Sequence, residues 1–119
     1  MDPKVTIDVR LADEGIAVLH IQGEMNRLAE KSLDAALTQV ERLGPRGIIL
    51  NFDGLTYMNN KGIGLLVKLE ARLRSQNRRL AVTGLNSHYR RVFSATGLDE
   101  GIPVLETEAA AIAALRKRN

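Results

Sequence analysis

Residues 48–64 read IILNFDGLTYMNNKGIG, and this stretch decides the fold. Its first five residues form a short, strongly apolar run that is typical of a strand buried in the middle of a sheet. Asp53-Gly54 indicates a turn. Apolar residues then recur at helical spacing, which predicts a helix from about Asn60 to Ser75. The stretch therefore predicts a buried strand, a short loop and a helix.

The residues before this stretch predict a hairpin and a helix. Residues 5–9 alternate between apolar and polar, as in a strand with one solvent-exposed face. Gly15 lies in a turn signal, where a positive φ is expected. Residues 16–22 predict a second strand, which residues 23–26 interrupt. Apolar residues at helical spacing predict a helix over 28–43, which ends at a Gly-Pro pair.

The residues after the stretch predict two more strands and two more helices. Strands are expected at 80–82 and 103–105. Ser87 is the predicted cap of a short helix that Gly97 ends, and Thr107 is the predicted cap of a helix running to Arg118. The resulting order, ββαβαβαβα, implies right-handed crossovers. We therefore expect a single α/β domain over 1–119, with a mixed, mostly parallel five-stranded sheet and four helices.

The composition excludes several classes of site. The 119 residues include no cysteine, so disulfides, thiolate metal sites and cysteine nucleophiles are excluded. His20 and His88 have no suitably spaced ligand partners, so neither a metal nor a cofactor is expected. The amino terminus carries no signal-peptide pattern, and no apolar run is long enough to span a bilayer. We therefore expect a cytoplasmic protein with no membrane insertion.

The net charge is +3, which makes nucleic acid the first partner to consider. Aromatic residues make up only 3% of the chain, so few rings are present on which bases could stack. The basic residues are also scattered, as on solvated helix faces. Nucleic-acid binding is therefore not expected, although an acidic protein surface is a suitable partner.

The start of the helix at Asn60 is the candidate functional feature. A helix amino end presents unpaired N–H groups and the positive end of a dipole, an arrangement that suits anions, including a phosphate on a side chain. Gly62 and Gly64 lie in its first turn, and their lack of side chains is expected to let another surface come close.

At these residues the chain resembles a known family. Residues 55–64, LTYMNNKGIG, resemble the segment L-[ST]-[FY]-[MI]-D-S-S-G-L-G of STAS domains, the module shared by sulfate transporters and bacterial anti-sigma factor antagonists. Residues 23–26, GEMN, resemble the family's G-E-L-D, and residues 89–98 resemble its V-R-R-V-L…T-G-L. The similarity extends over nearly the whole chain in the same order.

The resemblance implies a STAS fold and a non-catalytic partner switch. In the antagonist type, the unphosphorylated protein binds an anti-sigma factor, often a histidine-kinase-like ATPase, and phosphorylation of the first serine of D-S-S-G breaks the complex. A phosphate adds about −1.5 to −2 charges to such an interface. The residues that the resemblance assigns to partner binding are Asn59, Asn60, Lys61, Gly62, Ile63, Gly64, Glu24 and Asn26.

The chain departs from the family at the switch itself. Asn59, Asn60 and Lys61 replace the aspartate and the two serines. Asparagine has no hydroxyl, so Asn60 cannot become a phosphoserine, although it is a good helix cap. The protein is then either locked in its binding-competent form or engaged in a partnership without a phosphoswitch. Thr56 lies nearby and is better explained as a strand threonine than as a modified residue.

Other interpretations stay open at this stage. One alternative is an accessory STAS subunit of a lipid-transporting ATP-binding cassette system or of a stress-sensing complex, and self-association as a homodimer is not decided. A nucleotide-binding protein or enzyme is disfavoured, because Gly62-Ile63-Gly64 is followed by neither a third glycine nor a Walker lysine. Leu65, Leu69 and Arg72 are either part of a partner surface or packed against a neighbouring helix.

Overall fold

The computed structural model describes residues 3–13 and 15–117. A five-stranded sheet in the order β1-β2-β3-β4-β5 forms its centre. The strands are β1 (Val5–Asp13), β2 (Ile16–Met25), β3 (Gly47–Met58), β4 (Arg79–Thr83) and β5 (Val104–Leu105). β1 pairs antiparallel with β2, and every other neighbouring pair is parallel. The expected α/β class with a mixed, mostly parallel sheet is confirmed.

Five α-helices connect or follow the strands within the described residues, and the four longest are those that the sequence predicts. They are α1 (Glu30–Leu43), α2 (Asn60–Ser75), α3 (Ser87–Ala95), α4 (Leu98–Gly101) and α5 (Glu108–Arg116). The sequence pattern missed the four-residue α4 and a single 3-10 turn over Arg27–Ala29. No helix within the described ranges is both long and apolar enough to traverse a bilayer.

Two apolar clusters lie on opposite faces of the sheet. The larger one joins β2 and β3 to buried residues of α1, α2, α3 and α4, among them Leu37, Leu66 and Phe93. The smaller one joins Val18 and Ile49 to Ala111 of α5. Because side chains alternate across a strand, residues 16–19 of β2 and 47–52 of β3 are buried on both faces, which explains the apolar runs in these parts of the two strands.

The turn expected at Asp53-Gly54 is wrong, because β3 continues through it to Met58. The register changes from His20 opposite Asn51 to Gln22 opposite Gly54, so β3 contains one extra residue at this point. Such a bulge accommodates residues that ordinarily favour turns. The Asn51 side chain stabilises it by accepting a hydrogen bond from the backbone N–H of Asp53 at 2.8 Å.

The interruption expected at residues 23–26 is also placed too early, because β2 extends to Met25, which is fully buried. Gly23 makes the extension possible with a φ of +99°. A β-carbon on Gly23 would lie 2.1 Å from the carbonyl oxygen of Lys4, so only glycine fits beside β1 here.

Two of the three predicted helix caps are wrong by one residue. Asn59 rather than Asn60 caps α2, and Asn86 rather than Ser87 caps α3. In both cases the asparagine has the extended backbone that a cap requires, and its side chain accepts a hydrogen bond from the N–H three residues on. Thr107 caps α5 as predicted. The end predicted for α5 at residue 118 lies outside the described residues, and the helix as described stops at Arg116.

The two leucines of uncertain role in α2 pack against the neighbouring helix. Leu65 and Leu69 are buried in the larger cluster. Arg72 bridges α2 to α1 by donating to both carboxylate oxygens of Glu41, at 2.9 to 3.1 Å. Hydrogen bonds from Gln76 and then from Arg72 hold the pKa of Glu41 below its usual value, against the opposing effect of burial. This face of α2 therefore belongs to the interior.

On the other face of the sheet, Glu108 joins three elements. Its carboxylate pairs with Arg10 of β1 and accepts a hydrogen bond from the Asn51 side chain of β3 at 2.8 Å. The hydrogen bond from Arg10 is the main reason that the pKa of Glu108 lies below 4.5, with the bond from Asn51 adding to it and burial opposing it. The network holds the start of α5 against the sheet.

Replacing the Glu108 carboxylate should make the free energy of unfolding depend less on pH in the acidic range. Because the pKa of Glu108 is lower in the folded state, its stabilising effect is complete above about 4.5 and is lost as the pH falls through the folded-state pKa. We expect Glu108→Gln to lower the free energy of unfolding by about 1 kcal/mol near neutral pH. The deficit should shrink progressively as the pH is lowered below about 4.5, as measured by urea unfolding. Glu100→Gln, at an exposed position of α4, is the matched control. A deficit of Glu108→Gln that stays constant with pH would contradict the assignment.

Candidate functional site

The candidate site lies where β2 and β3 end and α2 begins. Met25 and Met58 are partners in the parallel register, so the two strands end side by side. We call residues 59–64 together with Glu24 and Asn26 the platform. The structure brings all eight of these residues to one end of the sheet, because α2 starts two residues after Met58.

Asn59 connects the helix start to β2. Its side-chain oxygen accepts a hydrogen bond from the N–H of Gly62 at 3.0 Å, and its carbonyl accepts one from Ile63 at 3.0 Å. Its own backbone N–H donates to the carbonyl of Met25 at 3.2 Å. Asn59 is half-buried, and its polar groups bond within the chain. Little of its surface is therefore available to a partner.

Asn26 organises the adjoining end of β2. Its side-chain oxygen accepts a hydrogen bond from the N–H of Leu28 at 2.9 Å and so caps the 3-10 turn. Its amide group donates to the Glu24 carboxylate at 3.4 Å. Both side chains are half-buried, so this pair forms one margin of the platform and carries its acidic group.

Tyr89 supports the platform from below, and the sequence offered no indication of this. Its hydroxyl accepts a hydrogen bond from the backbone N–H of Met58 at 2.9 Å, and the residue is 7% exposed. The bond joins α3 to the last residue of β3, which lies beyond the stretch of β3 that pairs with β4. From the sequence, a tyrosine in a short amphipathic helix can be identified only as a core residue. The partner of its hydroxyl is known only from the tertiary structure.

Gly62 has a different role from the one expected. A β-carbon at this position would lie 2.1 Å from the carbonyl oxygen of Met25 and 3.1 Å from the Met25 side chain. The surface that comes close to Gly62 is thus β2 of the same chain, and the residue is buried. The expectation that Gly62 admits an external surface is wrong, because packing within the chain already occupies that space.

Gly64, by contrast, is not packed against another part of the chain. It is exposed, and a β-carbon there would have no neighbouring atom within 4 Å. Asn60 and Lys61 are exposed beside it, whereas Ile63 is half-buried and packs against the larger apolar cluster. The outward part of the platform therefore consists of Asn60, Lys61 and Gly64.

Two exposed apolar side chains extend this surface. Val67 is 50% exposed and follows Asn60 and Gly64 at helical spacing, so these three residues share one face of α2. Tyr57, near the end of β3, is 48% exposed. Neither residue was predicted as a surface group from the sequence, although the spacing 60, 64 and 67 was available to identify Val67.

The charge of the outward surface is positive. No acidic residue lies in the first turn of α2, and Lys61 adds a cation to the positive end of the helix dipole. Thr56 is exposed on β3, where its hydroxyl donates to the carbonyl of Gly23 at 3.0 Å, as expected for a strand threonine. Within residues 3–13 and 15–117, no group of three or more His, Asp or Glu side chains could hold a metal ion.

Comparisons with known proteins agree with this architecture. The model of the family described as "STAS domain" matches residues 9–111. An anti-sigma-B factor antagonist of Staphylococcus aureus is 29% identical over 86 residues, which cover 72% of this chain and 80% of that protein.

Two solved structures share the fold. The crystal structure of an anti-sigma factor antagonist from Mycobacterium paratuberculosis superposes with a TM-score of 0.80 at 22% identity, over 95% of each chain. The anti-sigma factor antagonist SpoIIAA in its unphosphorylated form superposes with a TM-score of 0.72 at 23% identity, over 95% of this chain and 100% of that chain.

The two glycines of the platform should respond oppositely to alanine. Gly62→Ala forces a methyl group against the Met25 carbonyl, and we expect it to lower the free energy of unfolding by about 2 kcal/mol. Gly64→Ala places a methyl group in solvent and improves helix propensity, so it should raise that free energy by up to about 1 kcal/mol. Urea unfolding of both variants provides the measurement. Equal effects at the two positions would show that α2 does not pack against β2 as described.

Proposed function

The chain belongs to the STAS domain family, and from that premise we propose that it is a non-catalytic, partner-switching regulator of the anti-sigma factor antagonist type. The proposed partner is an anti-sigma factor or a histidine-kinase-like ATPase. It docks on the outward part of the platform, in the cytoplasm. The similarity to the anti-sigma-B factor antagonist of Staphylococcus aureus supports this proposal. The exposure of Asn60, Lys61 and Gly64 at the amino end of α2 also supports it.

The single observation that carries the proposal is the bare face of α2 at Asn60, Gly64 and Val67. A β-carbon on Gly64 would have open space around it, with no neighbouring atom within 4 Å, and the Val67 side chain on the same face is half exposed. An apolar patch without bulk at its centre accepts a protruding side chain of a partner. Lys61, at the positive end of the helix dipole, favours a partner with acidic groups around that side chain.

Asn60 determines how such a complex is regulated. It is the first residue of α2, exposed, at the position of the serine in the family segment. Its amide has no hydroxyl to accept a phosphoryl group, so the negative charge that would repel a partner cannot be introduced there. We therefore propose that the chain stays in its binding-competent form at this position, and that exchange of partners depends on competition for the surface.

The same substitutions motivate a second candidate function. A chain without a phosphorylatable residue at the start of α2 also suits a permanent place in a larger assembly. In this alternative it is an accessory STAS subunit of an ABC-type lipid transporter or of a stress-sensing complex. Stable co-purification with a membrane ATPase from the native organism would favour this candidate over the antagonist.

Binding should depend on the absence of a side chain at Gly64. We expect titration calorimetry against the histidine-kinase-like ATPases of the same organism to identify one that binds stoichiometrically. Gly64→Trp adds a bulky side chain to the proposed docking surface and should weaken that complex about 100-fold, or about 2.7 kcal/mol. Ala113→Trp adds the same side chain at an exposed position of α5, on the opposite face of the sheet, and should leave binding unchanged. Equal losses in both variants, or no complex with any of these ATPases, would refute the proposal.

Restoring the serine should restore a switch. With an ATPase that has kinase activity, we expect Asn60→Ser to gain one phosphate by intact-mass spectrometry and to leave the complex. The native chain and Asn60→Ala should gain none, because neither has a hydroxyl at residue 60. Phosphorylation of the native chain beside the platform, for example on Thr56 of β3, would show that this surface is switched by another residue.

A further inference from the structure

β1 presents a long unpaired edge. It has nine residues and pairs with β2 on one side, while no strand in the described part of the chain pairs with its other side. The opposite edge of the sheet is β5, which has only two residues. An exposed strand of this length presents a row of free N–H and C=O groups, which is a template for pairing with another strand.

The hydrogen-bond pattern shows which residues of β1 face outward. Lys4 accepts a hydrogen bond from the N–H of Glu24 at 2.8 Å, so this pair is hydrogen-bonded across the ladder. The register places Thr6 opposite Gln22 and Asp8 opposite His20 in the same series. Because bonded and non-bonded pairs alternate in an antiparallel ladder, the even residues bond to β2 and the odd residues direct their backbone groups outward. Val9 lies at the middle of this outward row.

The side chains of β1 also fit a second copy of the same strand. In an antiparallel pair centred on Val9, Asp8 lies opposite Arg10 of the second copy, and Ile7 lies opposite its Leu11. Because the arrangement is two-fold symmetric, each of these pairs occurs twice in the dimer. Arg10 already pairs with Glu108 of its own chain. Its guanidinium has enough donors to pair with the Asp8 carboxylate of the second copy as well.

The neighbouring registers are disfavoured by charge. A pair centred on Asp8 places the two Asp8 side chains opposite each other, and a pair centred on Arg10 does the same with the two arginines. Centring on Ile7 places Arg10 opposite Lys4. Among these alternatives, the register centred on Val9 is the one that opposes unlike charges while aligning the outward backbone groups.

An exposed apolar surface lies at the end of this edge. Leu11 is 58% exposed, and Leu43, the last residue of α1, is 48% exposed. α1 connects two parallel strands and therefore ends where they begin, which is also where the antiparallel β1 ends. A second copy of β1 would cover Leu11 with its Ile7.

From these observations we propose that the chain forms a homodimer in which β1 pairs antiparallel with β1 of a second copy about a two-fold axis at Val9. The two five-stranded sheets then join into one continuous sheet. The platform at the start of α2 stays uncovered in both copies, because it lies at the end of β2 and β3 and not along the edge of β1. The proposal does not rest on the proposed function, so each can fail without the other.

Sedimentation equilibrium tests the dimer directly. The native chain should sediment at twice its 13.1 kDa mass. Val9→Pro removes one outward N–H while keeping the hydrogen bonds to β2, and it should halve the observed mass. Val9→Thr keeps the N–H and a β-branched side chain, so it should remain dimeric. Circular dichroism of each variant verifies that the monomer is folded.

Charge variants test the register. Asp8→Arg and Arg10→Asp each oppose like charges across the pair, so each should be monomeric alone. In their equimolar mixture, one copy carries arginine at both positions and the other carries aspartate at both. Unlike charges then face each other again, so the mixture should recover the dimer mass.

Two results would overturn the proposal. The first is a native chain that stays monomeric at several hundred micromolar. The second is a dimer that persists in Val9→Pro, or in both charge variants measured alone, because the interface would then lie elsewhere on the molecule.

Discussion

The contact between Gly62 and the carbonyl of Met25 is the constraint on which the rest of the site depends. It brings the first turn of α2 against the last residue of β2, at a distance that any β-carbon would prevent. The hydrogen bond from Asn59 to the same carbonyl adds to it. Because α2 is held at both its cap and its first turn, the neighbouring residues Asn60, Lys61 and Gly64 have one defined position in solvent. A docking surface requires such pre-organisation if binding is not to cost ordering entropy.

Neighbouring residues of the segment 59–64 thus have different structural roles. Asn59, Gly62 and Ile63 face the chain's own interior, whereas Asn60, Lys61 and Gly64 face outward. The division follows from helical geometry, since residues three or four apart lie on the same side of the first turn. A single short motif can therefore combine a structural requirement with an exposed surface, where we propose that a partner binds, and substitutions at adjacent positions test different properties.

The proposed loss of a phosphorylatable serine at residue 60 is consistent with this division. The capping role belongs to Asn59, so the fold does not depend on the side chain at residue 60 for its cap. The side chain at residue 60 can therefore differ without loss of the cap, and asparagine there provides no hydroxyl for phosphorylation. An exposed residue at a helix start is well suited to regulation for this reason: a charge added there alters the interface while the core is unaffected.

Much of the architecture followed from the sequence alone. The apolar run at 48–52, the helical spacing of α1 and α2 and the order of elements determined the α/β class, since local hydrophobic periodicity reports burial directly. The resemblance in residues 55–64 located the candidate site. The bulge in β3, the extension of β2 to Met25 and the choice of Asn59 over Asn60 as cap depended on the tertiary structure. So did the support of Met58 by Tyr89, and the inward rather than outward role of Gly62. Each of these depends on a contact between residues distant in the chain, and local sequence patterns carry no information about which distant backbone atom will occupy the adjacent space.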